Sequence, residues 1–212
     1  MERVLDAKES EDFLKKYLPV AKSNLVRNFD EALKFVNRAK YPVVLKLIAE
    51  KIIHKSDVKA VSIVENEEEM AKEFDRLLGF AKKKRLKVQG ILVQEFLKGK
   101  EVIIGLKKDE TFEDVIMVGM GGIYTEVLKD VSFRVCPINQ NDADEMLNEL
   151  KLSKMLQGVR GEKGVNLKLL KSMLVKVSKI LEKNNKIKEM DINPLIINSQ
   201  DGKVADARIV LE

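Results

Sequence analysis

The chain has one cysteine, one histidine and no tryptophan among its 212 residues. A lone Cys136 excludes an internal disulfide, and with only His54 for company it cannot build a Cys/His zinc centre. Any Ser/His/Asp relay would have to run through His54, and no complete relay surrounds it. Proline is nearly as scarce, at 4 residues, and no Pro/Gly/Ser-rich tract marks a linker, so any lobes must be folded tightly together. No apolar run approaches the roughly 20 residues that cross a bilayer, so no membrane association is expected. The opening MERVLDAKESEDFLKKYLPV lacks the apolar core and small-residue cleavage site of a secretory leader, and a soluble, cytoplasmic protein is expected.

What is present is globular: 45% hydrophobic and 34% charged residues, enough length for one large or two-lobed domain and a sizeable core. The net charge of +5 comes from 39 basic and 34 acidic residues, which is interspersed charge on solvated faces and names no partner. The basic run at residues 82–87 has no interleaved aromatics, so no nucleic-acid partner is expected.

Helical periodicity is clearest over residues 66–84, where Met70, Phe74, Leu77, Leu78 and Ala81 share a face and Asn66 with Glu69 can form a capping box. A second helix is predicted over residues 166–181, with Leu170, Met173, Leu174, Val177, Ile180 and Leu181 as its stripe, and a shorter one over 29–39. Strand-like runs fall at residues 43–48, 58–64, 89–97, 100–108, 114–118, 131–135, 190–197 and 204–211. Their irregular alternation with helices favours mixed sheets in an α/β or α+β fold. The chain is predicted to pass between lobes near Lys98-Gly99-Lys100, giving lobes of about 20–97 and 98–212.

The most informative stretch is EMDINPLIINSQDGKVADAR at residues 189–208. Two apolar runs flank Ser-Gln-Asp-Gly, a turn signal, so a hairpin is expected. A four-residue loop at 199–202 would pair Asn198 with Lys203 and set Leu195 opposite Asp206. Asn193 would then lie one diagonal step from Asp206, within reach of a shared cation. One carboxylate and one amide oxygen suit Mg2+, which keeps positions open for water and phosphate. The same residues would serve a plain surface hairpin, and Pro194 signals an edge strand or a bulge.

Lys46 interrupts the apolar run VVLKLI, and an ammonium buried there needs an anion such as phosphate; strand alternation could equally turn it to solvent. Gly119, Gly121 and Gly122 permit either close approach of phosphate or a tight turn, but they form neither a Walker loop nor a dinucleotide fingerprint. His54, in IIHKSD, could be a phosphoryl acceptor or an ordinary loop residue.

Taken in order, YPVVLK (41–46), IIHKSDV (52–58), ILVQEFLKGKEVIIG (91–105), GMGGIYTEVLKDVSFRVCP (119–137), GVRGEKGV (158–165), EMDINPL (189–195) and DAR (206–208) resemble the β subunit of ADP-forming acetyl-CoA synthetase, the ATP-grasp half of an archaeal acyl-CoA synthetase. The resemblance covers nearly the whole chain and implies an ATP-grasp fold, two mixed α/β lobes with the nucleotide between them. It implies the reversible reaction acyl-CoA + ADP + phosphate = acid + CoA + ATP, with a phosphoryl group passing from a histidine of an α subunit to His54 and on to ADP. Lys46 would contact nucleotide phosphate, with Arg134 as a further phosphate contact. Glu95, Phe96 and Leu97 would form the adenine-side hinge, and Glu101 the acid after it. Asn193 and Asp206 match the Mg2+ ligands. An α subunit carrying the acyl and CoA chemistry, in an α2β2 heterotetramer, is the implied partner. The chain departs from the family at Lys59-Ala60, where Gly-Gly is common. Other readings are a non-catalytic nucleotide-binding regulatory module, or another ATP-grasp ligase acting without an α subunit.

Overall fold

The computed structural model describes residues 2–49, 60–122, 129–159 and 161–212. His54 and Lys59 lie outside the described residues. The chain divides into two compact units, one of Ala21–Phe96 and one of Met1–Val20 with Leu97–Glu212.

In the smaller unit the described strands β2 (Ser23–Val26), β3 (Val43–Ala49), β4 (Val61–Val64) and β5 (Val88–Glu95) form an antiparallel sheet in the order β2-β5-β3-β4. One face is covered by α2 (Phe29–Ala39) and α3 (Glu67–Lys83). Val43, Leu45 and Leu47 alternate onto that face and meet Met70, Phe74, Leu77 and Ala81 of α3. Each such side chain contributes about 1.5–3 kcal/mol on full burial. Leu78, expected on the stripe, is 38% exposed, because it sits at its edge. The cap also differs in detail. Asn66 Oδ1 accepts the Glu69 amide at 2.9 Å, but Glu69 reaches one residue further back, to the Glu65 amide at 3.0 Å.

In the larger unit β6 (Lys100–Asp109), β7 (Glu113–Met120), β8 (Val131–Val135), β9 (Ile187–Ile197) and β11 (Ala207–Leu211) join β1 (Arg3–Val4) in an antiparallel sheet, in the order β1-β11-β9-β6-β7-β8. The short β10 (Gly202–Val204) pairs with β9 beyond β11. The run predicted over 204–211 is therefore two strands, interrupted at Ala205-Asp206. Helices α1 (Ala7–Leu14), α4 (Gln140–Glu149), α5 (Ser153–Gln157), α6 (Leu167–Val177) and α7 (Ile180–Lys183) line the apolar cluster on one face of this sheet. The helix expected over 166–181 is α6 and α7. Between them the buried Ser178 hydroxyl donates to the Val175 carbonyl at 2.9 Å and accepts the Ile138 amide at 3.1 Å. Ser178 thus ties the break between α6 and α7 to the entry of α4.

Two consecutive strands carry a phase change that positions the site. On β9, Ile192 and Leu195 are both fully buried, although they are three residues apart. Simple alternation would put them on opposite faces. The pairing with β6 slips here, so that Asn193 and Pro194 together oppose Ile103. That is the bulge Pro194 announces, because proline has no N–H to give the ladder. Across the hairpin, Val204 and Ala207 repeat the same three-residue step, and the Pro194 carbonyl accepts the amides of Ala205 (2.9 Å) and Asp206 (3.4 Å).

Candidate functional site

The hairpin that carries the expected metal pair is closed by a side chain. Asn198 Oδ1 accepts the amides of Gln200 (2.8 Å) and Asp201 (3.0 Å), and the Asn198 amide donates to the Asp201 carbonyl at 2.9 Å. The loop therefore starts one residue earlier than expected, at Asn198, and the pairing shifts by two: Ile197 opposes Gly202, Ile196 opposes Lys203 and Leu195 opposes Val204. A shift of two keeps every side chain on its face. It converts the anticipated diagonal relation into a direct one, with the Asn193 amide donating to the Asp206 carbonyl at 3.0 Å.

Asn193 is exposed and Asp206 half-buried. One Asp206 carboxylate oxygen, Oδ1, accepts the Ala207 amide at 3.0 Å, which fixes the side chain's direction. An amide oxygen and a carboxylate at directly opposed positions are a hard-oxygen donor set of the kind Mg2+ takes when phosphate and water complete its shell. No cluster of three or more His, Cys, Asp or Glu able to hold a metal occurs among the described residues.

Glu101 stands on the same side of the sheet. Val102 opposes the buried Leu195, so Glu101, one residue earlier, takes the opposite face, where it opposes Ile196. Asp191 and Arg208 oppose each other on this face, one alternation step beyond Asn193 and Asp206. Sequence reasoning did not single them out as site residues, although the alternation of EMDIN and DAR carries that signal. Leu97, half-buried, begins the larger unit.

Arg134 does not join these residues. It opposes Ile116, whose side chain is in the helix-covered cluster, so its guanidinium points to the other face of the sheet. There it grips Glu149 on α4, with Nη2 at 2.5 Å from Oε1 and Nη1 at 3.0 Å from Oε2, and reaches Glu145 at 3.4 Å. The fork and the Ser132 hydroxyl, 2.5 Å from the same carboxylate, hold Glu149 down to about 2. These carboxylates hold Arg134 where the sequence reading looked for a phosphate.

In the smaller unit, Lys46 is 6% exposed. It opposes Leu92 on β5 and Val61 on β4, on the face away from Val43, Leu45 and Leu47. The solvent-facing alternative is thereby excluded. Glu95 closes β5 and accepts the Lys22 amide at 2.8 Å through Oε1, while its own amide donates to the Lys22 carbonyl at 2.9 Å. Phe96 is 38% exposed. Ala60 is fully buried in the smaller unit's apolar cluster, and its carbonyl accepts the Leu47 amide at 2.9 Å, so the methyl that replaces a family glycine is accommodated by packing.

A charged groove lined by Glu2, Lys107, Lys108, Asp109, Glu110, Thr111, Lys188 and Glu212 lies elsewhere on the larger unit. Lys107 is four residues along β6 from Ile103, about 13 Å at strand rise. Lys108 and Lys188 pair with Glu212 and Glu2 at 2.8 and 2.5 Å, so the groove largely neutralises itself.

Burial also decides the chemistry of the lone thiol. Desolvation pushes Cys136 up to about 12, which keeps it protonated and unreactive at neutral pH.

The ATP-grasp domain model matches residues 1–211. The chain is 41% identical to the acetate–CoA ligase [ADP-forming] II subunit beta of Pyrococcus furiosus, over 96% of this chain and 90% of the relative. Among solved structures it is similar to the dinucleotide-forming acetyl-coenzyme A synthetase 1 of Ca. Korarchaeum cryptofilum in complex with coenzyme A, Ca-AMPCP and HgCl+. The TM-score there is 0.94 at 38% identity, covering 99% of this chain and 94% of that one. A second structure of that enzyme holds coenzyme A and Mg-AMPPCP, with its phosphohistidine segment pointing towards the nucleotide binding site; its TM-score is 0.85 at 38% identity, over 99% and 93% of the two chains. With a domain model matched from end to end and a curated relative aligned over nearly its full length, the chain belongs to the ATP-grasp family and, within it, to the β subunits of ADP-forming acetate–CoA ligases.

Proposed function

We propose that the chain is the nucleotide-binding, phosphoryl-transferring β subunit of an ADP-forming acyl-CoA synthetase, working with an α subunit in an α2β2 assembly. The observation that carries the reading is the direct opposition of Asn193 and Asp206 at the phase change of β9 and β11. It supports a Mg2+ held by the two side chains and by nucleotide phosphate. When bound, that cation neutralises phosphate charge and orients the transferring group.

The chain's own residues then divide the work. Lys46, buried at 6% exposure, supplies a fixed ammonium for the phosphates. Glu95, Phe96 and Leu97 serve the adenine side, and Glu101 the nucleotide side of the metal face. His54 attacks phosphorus through an unprotonated ring nitrogen. A P–N bond forms to His54 as the P–N bond to the partner's histidine breaks. A terminal oxygen of ADP next attacks the same phosphorus, the bond to His54 breaks, and ATP leaves with the imidazole restored. The relay separates acyl chemistry from nucleotide chemistry through a covalent intermediate.

Reconstitution with the partner co-purified from the native cells tests the reading. ATP formation that requires acyl-CoA, ADP and phosphate is the expected result, with activity lost in His54→Ala. Nucleotide binding without any CoA-dependent ATP formation would favour the regulatory module instead.

A further inference from the structure

We propose that the Gly121-Gly122 turn is a positioning element for Glu101, setting where that carboxylate stands on the metal face; this rests on the reading of Glu101 as a nucleotide-side acid. The glycines follow β7, and the sequence leaves open whether their lack of side chains admits phosphate or another part of the protein. In the structure the group that comes close is Glu101. The Gly121 amide donates to the Glu101 carbonyl at 2.8 Å, extending the β6–β7 ladder by one residue. A Cβ at Gly121 would lie 2.8 Å from the Glu101 Cβ and 3.0 Å from its carbonyl carbon, closer than such contacts occur. A Cβ at Gly122 would lie 3.1 Å from Glu101 Oε2, and Gly122 has φ +65°, a conformation that glycine adopts freely.

The two glycines therefore act on different parts of one residue. Gly121 lets the β6 backbone approach, and Gly122 leaves room for the carboxylate oxygen. Glu101 is exposed, so burial does not hold its side chain, and its Oε2 lies against the turn at Gly122. A charge that must meet a metal-bound polyphosphate gains from such placement, because misplacement by a fraction of an ångström weakens the interaction.

A coupling cycle on the full chain tests this, with ADP affinity measured by titration calorimetry in excess Mg2+ and the thermal midpoint recorded for each variant. Glu101→Gln is expected to weaken ADP about 10-fold and Gly122→Ala about 5-fold, while the double variant is no more than about 2-fold worse than Glu101→Gln alone. Losses that multiply to about 50-fold would show that Gly122 acts independently of Glu101 and would overturn the proposal. Unchanged affinity in Gly122→Ala beside a weakened Glu101→Gln would overturn it as well. Unchanged affinity in Glu101→Gln would remove both the role of Glu101 and the reason to position it. Should Gly122→Ala fail to fold, Glu101→Asp replaces it, keeping the charge but withdrawing the carboxylate from the turn. Weakening close to that of Glu101→Gln supports positioning, and wild-type affinity overturns it.

Discussion

Asn193 on β9 and Asp206 in the break just before β11 face each other, joined by a 3.0 Å bond from the Asn193 amide to the Asp206 carbonyl. The backbone thus fixes the separation of two side chains that come from opposite ends of the most informative motif. Because the bulge at Pro194 and the break at Ala205-Asp206 lie at one level, the pair stands on the face that the helices leave open.

Asp206→Asn is expected to weaken Mg2+-dependent ADP binding about 10- to 100-fold, since it removes the formal charge from the pair. Titration of ADP with and without EDTA checks this. The variant should bind about as weakly in Mg2+ as the wild type binds in EDTA.

Lys46→Met retains the length and apolar stem of the side chain but removes the charge. The variant is expected to fold with a lowered thermal midpoint, because Lys46 is 6% exposed and its interaction partner is left unmatched when the ammonium goes. ADP affinity should fall about 10-fold or more, as one phosphate-facing charge is lost. Calorimetry and a melting curve on the same preparation separate the two effects.

The pair Arg134–Glu149 predicts a pH effect on stability and none on nucleotide affinity. Glu149 has an ordinary value of 4.5 and is held at about 2 in the folded protein. A depressed carboxyl stabilises above its unfolded value and loses that contribution as pH falls through its folded value. Wild type and Glu149→Gln should therefore differ in melting temperature at pH 7, with the difference shrinking between about pH 4.5 and pH 2. The Glu149 side chain is 49% exposed, so solvent screening limits the effect to about 1 kcal/mol or less. Arg134→Ala should leave ADP affinity unchanged.

Asn66→Ala removes the acceptor for the Glu69 amide at the start of α3. A loss of about 1 kcal/mol is expected, read from chemical denaturation.

Elements with strong apolar periodicity were legible from sequence. The stripe of α3 names its own buried face, because burial of large side chains outweighs local preference. The strand β8 does not: Phe133 and Val135 are 56% and 53% exposed while Ser132 is buried. Helix α4 was not legible. Only Ala143, Met146 and Leu147 of it are buried, and the helix starts at Asn139, whose side chain accepts the Asn141 and Asp142 amides. The hairpin was found, but its register was set by Asn198 acting as a turn former rather than as a strand residue. Asn193 and Asp206 share a face in either register, because a two-residue shift preserves the face. The placement of Arg134 could not be read from its own strand, since its partner Glu149 lies on a helix the sequence did not reveal.

The central claim is that a phosphoryl group rests on His54 on its way to ADP. The direct measurement is labelling of the full chain with [γ-32P]ATP and Mg2+, followed by mapping of acid-labile, base-stable phosphate. Label on His54 in the wild type, absent from His54→Ala and chased into ATP by added ADP, is the predicted result. Phosphate that stays on the chain when His54 is replaced, or a reconstituted complex in which that variant turns over at the wild-type rate, would contradict the account.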